Sequence, residues 1–290
     1  MTTQFNRKPY PSDLSDAQWE RLAPFIPEPA ADSPREPIDR REIVNGILYL
    51  LRTGCSWRQM PHDLPNGKTV YHYFRKWKRD GTWEKAMNSL RKEVRTQMGR
   101  DPEPSAAIID SQSIKTSPVR NVERGYDAGK KIMGRKRHLL VDTQGFLLAV
   151  KVHAANIADR LGARLLLQAL VGCFPRIIHL FADKAYRGPL LDWIKATLGW
   201  ETEIVPKAEN DARQKWELVD GVPVQVRLPK GGFQVQRHRW KVERTFGWLI
   251  RYRRLARDYE CLPCSSEALI QISAIKLFLN RLTPFRLVRT

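Results

Sequence analysis

From Ala106 onward the chain alternates short apolar runs with amphipathic stretches, and this alternation limits the fold more than any other feature. Ala106-Ala-Ile-Ile-Asp110 is an apolar run closing on an acid. His138-Leu-Leu-Val-Asp142 and Phe146-Leu-Leu-Ala-Val-Lys-Val152, joined by Thr143-Gln-Gly145, read as a β-hairpin. Ala158 to Cys173 has helical periodicity, with Asp159 in its first turn as a helix cap. Ile177-Ile-His-Leu-Phe-Ala-Asp183 is a second apolar strand ending in an acid, followed by a helix over Gly188 to Leu198 and a strand over Thr202 to Val205. Val222 to Leu228 alternates as a small extra strand. Gln236 to Arg257 reads as a helix of about five turns, and Ser266 to Leu282 as a last helix that packs on the core. Strands interleaved with helices in this order predict a mixed α/β domain whose sheet is covered by helices.

Residues 1 to 100 differ in character. Trp19, Leu22 and Phe25 precede Pro27; Asp39 caps a helix carrying Ile43, Ile47, Leu50 and Leu51; Trp57 to Met60 forms a short helix. Val70 to Arg79 is aromatic on one side and basic on the other, and Trp83 to Met98 closes the segment. Short helices, a tight turn at Gly54 and a basic aromatic helix are the elements of a helix-turn-helix unit. Val70 to Arg79 is then the recognition helix, with Arg75, Lys76 and Lys78 toward DNA. The linker Asp101-Pro-Glu-Pro-Ser105 divides a helical domain, 1–100, from a catalytic domain, 101–290.

Fifty Lys and Arg against 31 Asp and Glu give a net charge of +19 over 290 residues, which points to a polyanionic partner, most often nucleic acid. A membrane is the competing polyanion, but no apolar run approaches the roughly 20 residues that cross a bilayer. Met1 to Tyr10 lacks the apolar core of a signal peptide, so the expected home is the cytoplasm. Cys55 and Cys173 are expected as small buried residues. Cys261 and Cys264 form C-x-x-C with no second pair to complete a zinc ribbon.

Asp110 and Asp183, at the ends of apolar strands, are placed to leave the core side by side. Paired carboxylates repel unless a divalent cation neutralises both, and hard oxygen ligands suit Mg²⁺ or Mn²⁺. Two such ions activate water and stabilise the leaving oxygen of a phosphodiester. Gln236 to Arg257 holds eight Lys or Arg and one carboxylate, Glu243, the candidate third ligand. Arg239, Glu243 and Gly247 stack four residues apart, so a surface salt bridge is the plain alternative for Glu243. Glu201 or Glu203 replaces Glu243 if the long helix faces away. Asp142 competes with Asp110, but lies at the opposite end if the two strands are antiparallel.

Ile109-Asp-Ser-Gln-Ser-Ile-Lys115, Gly134-Arg-Lys-Arg-His138, Ala182-Asp-Lys-Ala-Tyr-Arg-Gly188 and Val242-Glu-Arg-Thr-Phe-Gly-Trp-Leu249 resemble, in the same order, the motifs of the DDE transposases of bacterial insertion sequences. The resemblance is to the branch with a Tyr–Arg–Glu–Lys signature and covers Ala106 to Leu255. It implies an RNase H-like core, a five-stranded sheet with acids on adjacent strands, preceded by a small helical domain. It carries the two aspartates onto Asp110 and Asp183 and the glutamate onto Glu243. The signature Arg falls on Arg239, but its Tyr falls on Gln236 and its Lys on Ile250, with Arg251 adjacent.

Among the basic residues, Arg135, Lys136 and Arg137, in a run with Lys130 and Lys131, are read as DNA-backbone contacts. Lys184 and Arg187 beside the second aspartate, Arg239 and Arg244 beside the glutamate, and Arg251 are read likewise. The resulting expectation is an insertion-sequence transposase. It binds terminal inverted repeats, hydrolyses the element's ends with two Mg²⁺ ions (Mn²⁺ substituting) and joins the freed 3′-hydroxyls to target DNA as a homodimer. An RNase H-like nuclease without strand transfer and a catalytically silent DNA-binding relative are the alternatives.

Overall fold

The computed structural model describes residues 7–28, 38–117, 122–205, 214–219, 222–227 and 239–283, with the side chains of 214–227 and 239 left aside. Helices come first: α1 (Asp16–Leu22), α2 (Arg40–Thr53), α3 (Gly67–Arg79) and α4 (Thr82–Gln97). Ser15 caps α1 through a capping box with Gln18. Asp39 caps α2 by accepting from the Arg41 amide at 2.8 Å, as its position predicts. Gly54 at φ +78 ends α2, a left-handed position that costs a side chain energy.

The strands are β1 (Ala106–Lys115), β2 (Gly125–Asp127), β3 (Ile132–Asp142), β4 (Leu147–Ala154), β5 (His179–Ala182) and β6 (Glu201–Ile204), with α5 (Asp159–Gln168) and α6 (Pro189–Leu198) between them. β1 runs antiparallel to β3 and parallel to β5, β5 runs parallel to β6, and β2 and β4 share the outer edge of β3. The order β4–β3–β1–β5–β6, with β1 central, is the RNase H-like sheet, and β2 is a short addition. A hairpin of β7 (Gln214–Val219) and β8 (Val222–Arg227) precedes α7 (Arg239–Leu249), and α8 (Pro263–Leu282) closes the order.

The period of two along β1 sorts its apolar residues onto two faces. Ala107 and Ile109 join Leu140, Leu148, Leu180 and the inner sides of α5 and α6. Ile108 joins Leu139, Val141 and Leu147 with α7, α8 and the N-terminal helices in one continuous cluster. That cluster carries Ile47, Phe74, Trp77 and Trp83 from the first 100 residues, so the helical segment and the sheet share a core. The 101–105 linker is tied on both sides: Arg95 of α4 donates to the Asp101 carbonyl at 2.8 Å, and Arg176, beyond α5, donates to the Glu103 carbonyl at 2.8 Å.

Several elements differ from their sequence patterns. The run through Asp110 is not a short strand, because β1 continues to Lys115 against β3. β3 begins at Ile132 rather than His138, since polar residues there have buried partners on both faces. The long C-terminal helix ends at Leu249 instead of Arg257. Tyr252 turns extended, at φ −93 and ψ 115, and this lets Arg254 reach the Cys55 carbonyl at 3.1 Å and Glu260 at 2.7 Å. Cys55 is half-buried and Cys173 exposed, rather than both buried. Among the described residues no helix is long and apolar enough to cross a membrane.

Candidate active site

β1 and β5 pair in register only as far as Ile108 with Phe181. β5 ends one residue later, at Ala182, and Asp110 and Asp183 line one recess with Ile108, Ile109, Phe181, Ala182 and Val205. The local chain holds each carboxylate. Asp110 accepts from the Ser111 amide at 2.7 Å, and Asp183 accepts from the Ala185 amide at 2.8 Å, capping the 3₁₀ turn Lys184–Tyr186. Asp142 lies opposite Ala107, at the other end of β1, as the antiparallel register predicts. It is wholly buried, paired with Arg95, and accepts the amides of Gln144 and Phe146 in the hairpin turn.

Glu243 rides on α7, which lies across β1 and β3 on the face of Ile108. Val242, Phe246 and Leu249 anchor this helix in the core. Thr245 donates to the Gly145 carbonyl at 2.7 Å, and Arg244 donates to the Gln144 carbonyl at 2.6 Å while stacking over Trp240 and Trp248. Gly145 has φ +75, and a Cβ there would stand 2.9 Å from the Thr245 hydroxyl, so the turn suits glycine on both counts. α7 is therefore clamped to the β3–β4 turn, with Glu243 on its exposed side. Glu243 does not line the recess of the two aspartates. Among the described residues, no group of three or more His, Cys, Asp or Glu side chains is arranged to hold a metal ion. The donor chemistry of Asp110 and Asp183, two carboxylates converging at one recess, fits a hard divalent cation.

The basic run expected to contact DNA is buried from Arg135 to Arg137. Arg135, Lys136 and Arg137 are 0%, 6% and 1% exposed, so they do not face DNA. Strand alternation divides them between the two faces of the sheet. Arg135 donates to the carbonyls of Glu260 and Cys261 and pairs with Asp258 at 3.3 Å. Arg137 donates to the Leu255 carbonyl, and burial lowers its pKa to about 10, against the pull of Asp258. Lys136 reaches the opposite side and pairs with Asp159 at 2.9 Å.

The other expected contacts divide by exposure. Lys184, Arg187, Arg251 and Arg75 are exposed, and Lys76 is half-buried. Lys78 is anchored at the start of α8, donating to Ser265 at 3.1 Å and contacting the Cys264 sulfur at 3.2 Å. Arg251 lines a cavity of about 250 Å³ between α7 and α8 with Arg52, Arg281, Trp248 and Tyr252. The Arg239 side chain and Gln236 lie outside the described residues. Ile250, at the other signature position, is exposed.

A polar network behind the aspartates has no counterpart in the sequence reading. Asp159 does not cap α5; it accepts from the Ser111 hydroxyl at 2.9 Å and pairs with Lys136. Burial opposes ionisation of Asp159, but the hydrogen bonds from Lys136 and Ser111 hold its carboxyl below the ordinary range. His138 and His153 share a ring-to-ring hydrogen bond of 2.9 Å, and His153 also meets the Ala154 carbonyl. Burial, then the neighbouring His153, lowers His138 to about 3. Tyr186, three residues past Asp183, is buried edge-on to His138, and burial and the fields of Asp110, Asp159 and Asp183 raise its phenol. The findable signal was the alternation of Lys136 and His138 on one side of a strand that begins before His138.

A family model described as a transposase of the IS4/5 family matches residues 14–87, and the transposase DDE domain model matches residues 101–276. An insertion element IS402 protein of 16.2 kDa from Burkholderia cepacia is 30% identical over 108 residues, 35% of this chain and 72% of that protein. Protein y4sN of Sinorhizobium fredii is 26% identical over 81 residues, 28% of this chain and 65% of its own length. Among solved structures, the Mos1 transposase paired-end complex with left transposon end aligns at 12% identity and TM-score 0.23, over 60% of this chain and 61% of that one. The Mos1 strand transfer complex aligns at 14% identity and TM-score 0.22, over 60% of each chain.

Proposed function

Because the chain belongs to the transposase DDE domain family, we propose that it is the transposase of an insertion sequence, cutting DNA at the element's ends and joining them to a target. The observation that carries this reading is the shared recess of Asp110 and Asp183 on adjacent parallel strands. Asp110, Asp183 and Glu243 would hold Mg²⁺, in two ions, with Mn²⁺ as a substitute. A divalent cation at such a site supplies charge stabilisation at the phosphate and a water of lowered pKa. Water adds to the phosphorus and the 3′-oxygen leaves; the freed 3′-hydroxyl then attacks a target phosphorus, whose own 3′-oxygen leaves. No side chain of the protein forms a covalent bond to DNA in either step.

The exposed cations Lys184 and Arg187, within four residues of Asp183, hold the phosphates that flank the reacting one. Arg239, at the start of α7, serves the same backbone near Glu243, and Arg251 serves it beyond the end of that helix, whereas Arg244 is committed to the β3–β4 turn. α3 presents Arg75 and Lys76 to the terminal inverted repeats. Two ends are processed by a homodimer, in the cytoplasm of the bacterial host. A second reading, a DNA-binding relative that does not cut, is favoured by the position of Glu243 outside the aspartate recess.

A strand-transfer assay tests the proposal. Duplexes carrying the flanking inverted repeats are incubated with the protein, Mg²⁺ and a supercoiled target plasmid. Repeat ends covalently joined to plasmid are the expected product. Cutting without joining supports the nuclease alternative, and binding without cutting supports the non-catalytic one.

A further inference from the structure

Asp159 sits at the start of α5, on the opposite face of the sheet from α7, yet it is bound to the residue next to Asp110. The Ser111 hydroxyl donates to Asp159 Oδ1 at 2.9 Å. Lys136 Nζ lies 2.9 Å from the same oxygen, donates to the Ile157 carbonyl at 2.9 Å, and stands 4.0 Å from Asp127. Asp127 accepts in turn from the Ser113 hydroxyl, two residues further along β1. Lys136 is 6% exposed, so its charge depends on these two carboxylates. Gly162 lets α5 approach, because a Cβ there would fall 2.3 Å from His153 and 2.4 Å from His138. Tyr186, from the turn that Asp183 caps, packs against His138 at 6.0 Å between ring centres.

β1 pairs with β5 only to Ile108, so the parallel ladder does not fix the strand at Asp110. At Asp110 β1 is laddered to β3 alone, opposite Leu139, and from the α5 face the hydroxyls of Ser111 and Ser113, bound to carboxylates around one buried ammonium, add a second restraint. We propose that Asp159, through Ser111 and with Lys136 as its counter-charge, is a positioning residue that holds β1 at Asp110 in the orientation needed for a divalent cation. This rests on the metal-binding reading of Asp110 and Asp183 given above and goes beyond it by assigning a role to the opposite face of the sheet.

Mn²⁺ binding to the purified full chain, followed by calorimetry, tests the idea apart from activity. Ser111→Ala removes the link without burying an unpaired charge, and Ser111→Thr keeps the hydroxyl in a residue suited to strands. We expect Ser111→Ala to weaken Mn²⁺ binding about 10-fold, the lower range for losing an outer partner of a metal ligand. Ser111→Thr should bind as the native chain does, and Asp159→Ala with Lys136→Met should fold and bind as weakly as Ser111→Ala. The half-saturating Mg²⁺ for cleavage should rise in parallel while affinity for repeat DNA stays unchanged. Native-like Mn²⁺ binding by Ser111→Ala, in a chain whose Asp110→Asn variant has lost it, overturns the positioning role alone. No Mn²⁺ binding by the native chain overturns the metal-binding reading itself and the positioning role with it.

Discussion

Asp110 stands two residues past Ile108 and Asp183 two residues past Phe181, the last registered pair between β1 and β5. Because side chains alternate along a strand, this equal offset directs both carboxylates to the face of Ile108 and Phe181, the face crossed by α7. The two strands therefore set the aspartates side by side, and the helix brings Glu243 to that side of the sheet. A one-residue slip between β1 and β5 would send one carboxylate to the α5 face.

Arg135 and Lys184 are both basic residues of the transposase motifs, but they should behave in opposite ways. Arg135→Met leaves Asp258 buried without its cation, which costs about 3–5 kcal/mol. Urea denaturation should show that loss. Lys184→Ala should leave the denaturation midpoint in place and reduce the slope of log K against log salt for DNA binding by about one.

The buried histidine pair predicts an acid-sensitive fold. His138 is held at about 3, below its ordinary 6.5, so the unfolded chain binds a proton that the folded chain refuses. Stability is then complete above pH 6.5 and falls as pH drops from 6.5 toward 3, at up to about 1.4 kcal/mol per pH unit. Denaturation midpoints between pH 7.5 and 5 should fall for the native chain and fall less steeply for His138→Asn. Equal slopes would show that His138 does not carry the effect.

Gly162 has no room for a methyl group against the histidine rings. Gly162→Ala should destabilise the protein by about 1–3 kcal/mol through overpacking, measured by thermal melting. Gly172→Ala, at a position with open space, tests whether the contact rather than glycine itself matters, although its φ of +78 adds a backbone cost of about 1 kcal/mol.

On α3 the exposed Arg75 and the anchored Lys78 separate DNA contact from packing. Arg75→Ala should weaken binding to the inverted repeats by several-fold without altering the melting temperature. Lys78→Ala should lower the melting temperature by a few degrees, since it removes a half-buried hydrogen bond worth about 1 kcal/mol.

The alternation of strand and helix after Ala106 was legible because each apolar run is short and bounded by turn residues; the hairpin at Thr143–Gly145 and the final helix followed from it. The full lengths of β1 and β3 were hidden, because Ser111, Ser113, Arg135 and Lys136 are polar residues whose burial depends on partners distant in sequence. A run such as Lys130 to Arg137 looks like a solvated face until the period of two divides it between two buried networks. The end of α7 was hidden for the same reason: Arg254 leaves the helical line to meet Glu260 and Cys55, which sequence spacing does not reveal. Asp110 and Asp183 were legible as acids closing apolar runs, whereas Tyr186 and Asp159 became visible only once β3 and α5 were in place.

The most direct test is cleavage of a supercoiled plasmid carrying the flanking inverted repeats, in Mg²⁺ or Mn²⁺, by the native chain and by Asp183→Asn. The native chain should make metal-dependent cuts at the repeat ends. The variant should lose about three orders of magnitude in cutting, matching the several kcal/mol that a metal clamp contributes, with repeat binding retained. Equal cutting by both proteins would remove Asp183 from the site and contradict the account.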